Sequence, residues 1–231
     1  MAKKVVIFIV EGPSEKKALE AIISEIIISD EIVFEVTYGD VTSNITKVDT
    51  NLIIPQLIEI ITKTLNMRRF HVNDISEIVL LTDTDGTYIK DDNIKEVETD
   101  KVIYEERHIK TLDKNRIVLR NYVKANILNK LSAEKTIGVR KTAIPFMIFY
   151  MSCNLDHVLY NERNLADNLK NQKAEEFSFS YDGNEKEFIT FLEEHMIDKN
   201  DNYELSWDKI KLKNNSLLRY SNLWLYLKEY I

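Results

Sequence analysis

The chain has one cysteine, Cys153, among 231 residues. That excludes an intrachain disulfide and a zinc site built from cysteines. Proline and glycine are scarce, with three and five residues, and 44% of residues are hydrophobic and 30% charged. This is the composition of an ordinary globular protein, without low-complexity tracts or internal repeats. Long apolar runs are missing too. The run that follows Met1-Ala2-Lys3-Lys4 stops at Glu11. It is too short for a signal peptide or a membrane span, so a cytoplasmic protein with no membrane partner is expected. Positive charge is in deficit: the net charge is -7 and the isoelectric point about 5.3. Bulk charge therefore does not announce a nucleic-acid binder, although an enzyme on nucleic acid can carry a local basic face on an acidic body.

What the chain does have is an alternation of strand-like and helix-like segments. Val5–Val10 is a continuous apolar run with β-branched members, the pattern of a central parallel strand. Residues 14–28 carry Ala18, Leu19, Ile22, Ile23 and Ile26 at helical spacing. Residues 32–37 read as a short strand. Residues 51–65 read as a helix with Pro55 in its first turn, and 78–82 as the next strand. Residues 86–106 are polar and acidic and read as a loop. A helix is expected over 112–131, with Ile117, Val118, Tyr122, Ile127 and Leu131 on one side. A strand over 145–151 and a helix over 156–169 follow. Strand–helix repetition predicts an α/β fold: a parallel sheet flanked by helices on both faces, in a domain of residues 1–170. Residues 171–231 differ. Helical segments over 185–197 and 217–230 predict a helical C-terminal extension packed on that domain.

Two strands end in acids. Val5–Val10 runs into Glu11-Gly12-Pro13-Ser14-Glu15, and about seventy residues later Ile78–Thr82 runs into Asp83-Thr84-Asp85-Gly86. In an open parallel sheet, sites form beyond the carboxyl ends of strands. Glu11 finishes its strand, and Glu15 lies one helical turn further. Asp83 and Asp85, two apart, point the same way in extended geometry. Four carboxylates at one sheet edge repel one another unless a cation joins them. Hard oxygen donors without His or Cys suit Mg²⁺ or Mn²⁺. Against this stands the ordinary use of Asp and Gly as turn residues and of acids in the first turn of helices.

Three known patterns compete. In a calcium loop of the EF-hand kind, Gly86 at the loop glycine would put Leu81 at the first ligand position, where it cannot bind. Leu80-Leu81-Thr82-Asp83-Thr84-Asp85-Gly86-Thr87 resembles the opening motif of haloacid-dehalogenase-type phosphatases. That would make Asp83 the nucleophile and Asp85 the acid/base, but it leaves Glu11 unexplained. An apolar strand ending in Glu-Gly, with a later one ending in Asp-x-Asp, resembles the Toprim domain over roughly residues 4 to 160. Glu11-Gly12-Pro13-Ser14-Glu15 is most similar to the version in OLD-type nucleases.

The chain lacks the phosphate loop of the OLD ATPase, the cysteine-rich zinc module of primases and the length of a topoisomerase. The resemblance therefore implies a stand-alone, Mg²⁺- or Mn²⁺-dependent nuclease acting on DNA or RNA. It would be akin to RNA-processing enzymes and phage-defence effectors, some of which work with a separate ATPase. It implies that Glu11, Asp83 and Asp85 hold one metal, and that Glu15 and Asp156 are candidates for a second. Glu11 is an alternative acid/base. Lys141, just before a core strand, is the candidate to reach phosphate from the crevice. Asp40 and His157 read as a turn residue and an exposed first-turn histidine, and Cys153 as a small apolar filler. Basic residues at Arg107, Lys110, Lys114, Arg116, Arg120 and Lys124, at Lys135, Arg140 and Lys141, and at Lys209, Lys211, Lys213 and Arg219 read as solvated faces that would contact phosphates in a nuclease. Trp207, Tyr220, Trp224, Tyr226 and Tyr230 read as packing or partner surface. A silent binding module and a homo-oligomer that holds substrate jointly are further expectations.

Overall fold

A computed structural model describes residues 4–27, 29, 31–43 and 50–230. Strand β1 (Val5–Val10) is buried at every position, and this sets the layering. Its alternate side chains enter two different cores, which a strand can do only in the middle of a sheet covered on both faces. The chain continues through α1 (Pro13–Ile26), β2 (Glu31–Val36), α2 (Ile53–Arg68), β3 (Ile75–Asp83), β4 (Ile94–Glu96), β5 (Ile103–Tyr104), β6 (Ile109–Thr111) and α3 (Lys114–Ala133). It then forms β7 (Thr136–Val139), β8 (Thr142–Met151), α4 (Leu155–Tyr160), α5 (Asp167–Ser180), α6 (Glu185–Glu194), α7 (Tyr203–Ile210) and α8 (Trp224–Leu227).

The main sheet has the order β2-β1-β3-β8-β7. The first four strands are parallel, and β7 is an antiparallel edge. The fold is thus α/β, with a mixed, mostly parallel sheet between helices. On one face Val6, Phe8 and Val10 pack with Leu81, Phe149, α1, α5, α6 and the C-terminal residues Leu223 to Leu227. On the other, Val5, Ile7 and Ile9 pack with Ile78, Leu80, Ile148, α2, α3 and Trp207 of α7. Residues 171–231 therefore contribute to both cores. Trp207 and Tyr226 are buried, in keeping with a packing role. Among the described residues no helix is long and apolar enough to cross a membrane.

Several expectations need correction. Residues 86–106 are not a plain loop: β4, β6 and β5 form a second, three-stranded sheet in that order. Strands this short show no alternation in the sequence, yet Ile94 and Ile109 bury their side chains with Ile89, Ile117, Cys153 and Leu217 in a third core. The helix read over 156–169 is broken. Asn161 takes a left-handed conformation (φ 62°) that caps α4, and α5 then runs through residues taken as polar coil. Of the stretch 217–230, only 224–230 is continuously helical, as the short α8 followed by a 3-10 turn over Lys228–Tyr230, and the sequence pattern does not show α7 or β7. On α3 the expected Ile117, Ile127 and Leu131 are buried, but Tyr122 is exposed, and the buried face also takes in Asn121, Lys124 and Leu128.

Candidate active site

Parallel pairing of β1 with β3, with Ile9 opposite Leu80, brings the two acidic turns side by side at the carboxyl edge. Glu11 Oε1 accepts a hydrogen bond from Thr82 Oγ1 at 3.2 Å and another from the Asp83 backbone N–H at 3.4 Å. The first strand's glutamate is therefore tied directly to the Asp-x-Asp turn. Asp83 Oδ1 accepts from the Leu155 N–H at 2.9 Å, where the chain leaves β8 for α4. Glu15 Oε2 accepts from Ser14 Oγ at 3.2 Å. Its negative charge contributes, behind burial, to raising the carboxyls of Glu11, Asp83 and Asp156.

Asp85 is held much more tightly. Its backbone lies in the left-handed region (φ 51°). Its N–H bonds the Cys153 carbonyl at 2.7 Å, and its carbonyl accepts from Arg120 Nη2 at 2.8 Å. Its Oδ1 accepts from the Tyr104 hydroxyl at 2.9 Å and its Oδ2 from Lys124 Nζ at 2.6 Å. Gly86 follows with φ 66°, and a β-carbon there would come within 2.5 Å of Leu217 Cδ2, so the turn requires glycine. The Ser216 carbonyl accepts from Thr84 Oγ1 at 2.8 Å, Cys153 N–H at 2.9 Å and Gly86 N–H at 3.1 Å. The C-terminal segment thus braces the acidic turn from beneath.

Lys124 was missed as a site residue. It is fully buried on α3, and its Nζ lies 2.7 Å from Asp40 Oδ2 as well as 2.6 Å from Asp85 Oδ2. Asp40, taken as a turn residue, is thereby part of the cluster. Its other oxygen accepts from the Thr42 N–H at 2.7 Å. A charged residue in a stripe of buried helix positions was the available signal for Lys124.

The charges respond as this crowding requires. Burial, then the negative charge of Asp40, pushes the Glu11 carboxyl up to about 8, although Lys124 opposes the shift. Burial and the charges of Glu11 and Asp85 hold Asp83 well above the usual carboxylate range. Burial raises Asp40 too, but the charge and hydrogen bond of Lys124 outweigh it and bring the carboxyl down to about 2. Burial works against a charged Lys124, yet Asp40, Asp85 and Glu11 together keep its ammonium well above its ordinary value.

A consequence is measurable in metal-free protein. Between about 4.5 and 8 the folded state keeps a proton on Glu11 that the unfolded chain has released. The folded state binds more protons in that window, so this group makes stability fall as pH rises. Thermal midpoints recorded from pH 5 to pH 8.5 should decline for the parent protein. Glu11→Gln should flatten the decline and be the more stable protein at pH 8. Identical slopes would contradict the placement of Glu11.

The remaining expected residues are more scattered. Asp156 is buried and lies 3.5 Å from Lys170 Nζ; burial raises its carboxyl. It lines a cavity of about 190 Å³ with Tyr104, Lys101, Arg163, Asn164 and Lys170. Lys141 does not join the site. With Arg140 it forms the two-residue turn between β7 and β8, both at positive φ, as a tight hairpin needs. The length of β8 separates it from the acidic edge, roughly 30 Å at strand rise. His157 is buried rather than exposed. Burial and the nearby arginines Arg163 and Arg219 bring it down to about 4, so it is neutral. Cys153 is a buried filler whose thiol burial pushes up, which removes it as a neutral-pH nucleophile. Several of the basic residues are engaged elsewhere: Lys110 with Glu105, Lys135 with Glu204, and Lys209 with Asp198 and Asp201.

No family model, curated protein or solved structure matches the chain. The site must be judged on its own chemistry. Among the described residues, no group of three or more His, Cys, Asp or Glu side chains is arranged so that it could hold a metal ion. The donor types nonetheless suit a hard divalent cation: Glu11, Glu15 and Asp83 offer only carboxylate oxygens, and burial, with the neighbouring negative charges, raises the carboxyls of Glu11 and Asp83.

Proposed function

We propose that the chain is a divalent-metal-dependent nuclease, hydrolysing phosphodiester bonds in DNA or RNA from a Toprim-like sheet. The observation that carries this reading is the hydrogen bonding of Glu11, at the end of β1, to Thr82 and Asp83 at the end of β3. That is the pairing of glutamate and Asp-x-Asp turn on which the resemblance depends. The phosphatase alternative needs Asp85 free to exchange a proton with substrate. Lys124 and Tyr104 instead engage both of its oxygens.

In this proposal Glu11, Glu15 and Asp83 would hold Mg²⁺ or Mn²⁺. The ion supplies positive charge for the phosphoryl group in the transition state and makes water more acidic. As the alternative to ligation, Glu11 would serve as the acid/base, its metal-free carboxyl being pushed up to about 8. The Leu155 N–H fixes one oxygen of Asp83 and so orients the other. Tyr104 and Arg120 keep the turn from collapsing onto its neighbours. The cavity beside Asp156 has Lys101, Arg163 and Lys170 on its walls, cations that would contact phosphates of a substrate. With a net charge of -7, a second copy or a partner ATPase would help hold substrate.

The test is cleavage of end-labelled single- and double-stranded DNA and RNA. Products should appear with Mg²⁺ or Mn²⁺ and disappear with EDTA. Cutting that persists in EDTA would overturn the metal reading. A chain that cuts none of the four substrates, with or without metal, would instead be a binding module.

A further inference from the structure

We propose that Lys124 is the site's own second cation, so that the crevice takes one divalent ion rather than a pair. This rests on the metal-nuclease reading and narrows it.

The five carboxylates fall into two sets. Asp40 and Asp85 have both oxygens engaged. Asp40 accepts from the Thr42 N–H and from Lys124, and Asp85 accepts from Tyr104 and from Lys124. Glu11, Glu15 and Asp83 each have only one oxygen engaged. Thr82 and the Asp83 N–H take Glu11 Oε1, Ser14 takes Glu15 Oε2, and the Leu155 N–H takes Asp83 Oδ1. No described residue donates to Glu11 Oε2, Glu15 Oε1 or Asp83 Oδ2. The open oxygens thus belong to the three acids that Lys124 does not bond, and the ammonium is held by the other two.

Lys124 is not placed to leave. It has no exposed surface, and its helix neighbours Asn121 and Leu128 are buried with it. One turn earlier on α3, Arg120 ties the same helix to the Tyr104 hydroxyl at 2.9 Å and to the Asp85 carbonyl at 2.8 Å. A metal ion between Asp40 and Asp85 would have to displace an ammonium with two short ion pairs and no exposed surface of its own. Repulsion between the two cations would oppose it throughout. Lys124 thus performs permanently what a second ion does in a two-metal site: it holds two acids together and keeps the turn in shape. It acts through Asp40 and Asp85 and is a positioning residue.

Counting Mn²⁺ on the full chain, by the loss of free-Mn²⁺ EPR signal, decides this without any activity measurement. One equivalent per chain is expected for the parent protein and for Lys124→Arg. Lys124→Met, which vacates the cation's place, should bind a second equivalent. Asp85→Asn should still bind one, whereas Asp83→Asn should weaken that ion by about tenfold or more. Two equivalents on the parent protein would overturn the lysine's role and leave the metal reading intact. Zero would overturn both. If Lys124→Met does not fold, the parent count and the contrast between Asp85→Asn and Asp83→Asn still decide. Loss of the ion in Asp85→Asn would overturn the proposal.

Discussion

Lys124→Met should cost the metal-free protein about 3–5 kcal/mol of folding stability, the usual consequence of removing one partner from a buried ion pair. The cost is large because two acids lose their cation at once. Asp40 and Asp85 would stay partly buried, beside a Glu11 whose carboxyl is already pushed up to about 8. For a chain of this size that corresponds to a thermal midpoint lower by roughly 10 °C. Mn²⁺ should return part of the loss by occupying the vacated place. Saturation at a hundredfold excess over Kd contributes about 2.7 kcal/mol. Urea unfolding in EDTA and in Mn²⁺ measures both effects. Equal stability of the two proteins in EDTA would show that Lys124 is not the cation holding these carboxylates.

Glu11→Gln and Asp83→Asn should each lower metal-dependent cleavage by about 10³-fold or more, the scale of several kcal/mol of transition-state charge stabilisation. Both substitutions preserve shape and remove charge. Glu11→Gln can still accept the Thr82 hydroxyl and the Asp83 N–H on its amide oxygen, so the link between β1 and β3 survives. Asp83→Asn can likewise accept from the Leu155 N–H. A loss of activity with retained fold would therefore report on metal and proton chemistry. The phosphatase alternative differs here, because it needs Asp83 and leaves Glu11 dispensable.

The parts of the site readable in the sequence are those where one short segment carries both a structural and a chemical signal. Val5–Val10 and Ile78–Thr82 are unbroken apolar runs because their strands are buried on both faces, and an acid directly after such a run lands at the sheet edge. Asp40 and Lys124 could not be paired in this way, since eighty-four residues separate them and only the fold joins them. Lys124 still left a trace. Ile117, Asn121, Lys124, Leu128 and Leu131 follow helical spacing, and a lysine within an apolar stripe calls for a buried partner. Tyr122, whose aromatic ring suits the same face, is exposed instead. The support of the acidic turn by the Ser216 carbonyl had no sequence signal, because any residue can supply a backbone oxygen. Lys141 failed for a simple reason: a residue just before a strand and one just after it lie at opposite edges of the sheet.

The most direct measurement is cleavage of the labelled DNA and RNA panel by the parent protein, Glu11→Gln and Asp83→Asn, side by side in Mg²⁺, Mn²⁺ and EDTA. Products are expected from the parent protein with either metal, none in EDTA, and at least a 10³-fold loss in both variants. Cleavage in EDTA, or full activity in Glu11→Gln, would contradict the proposed function.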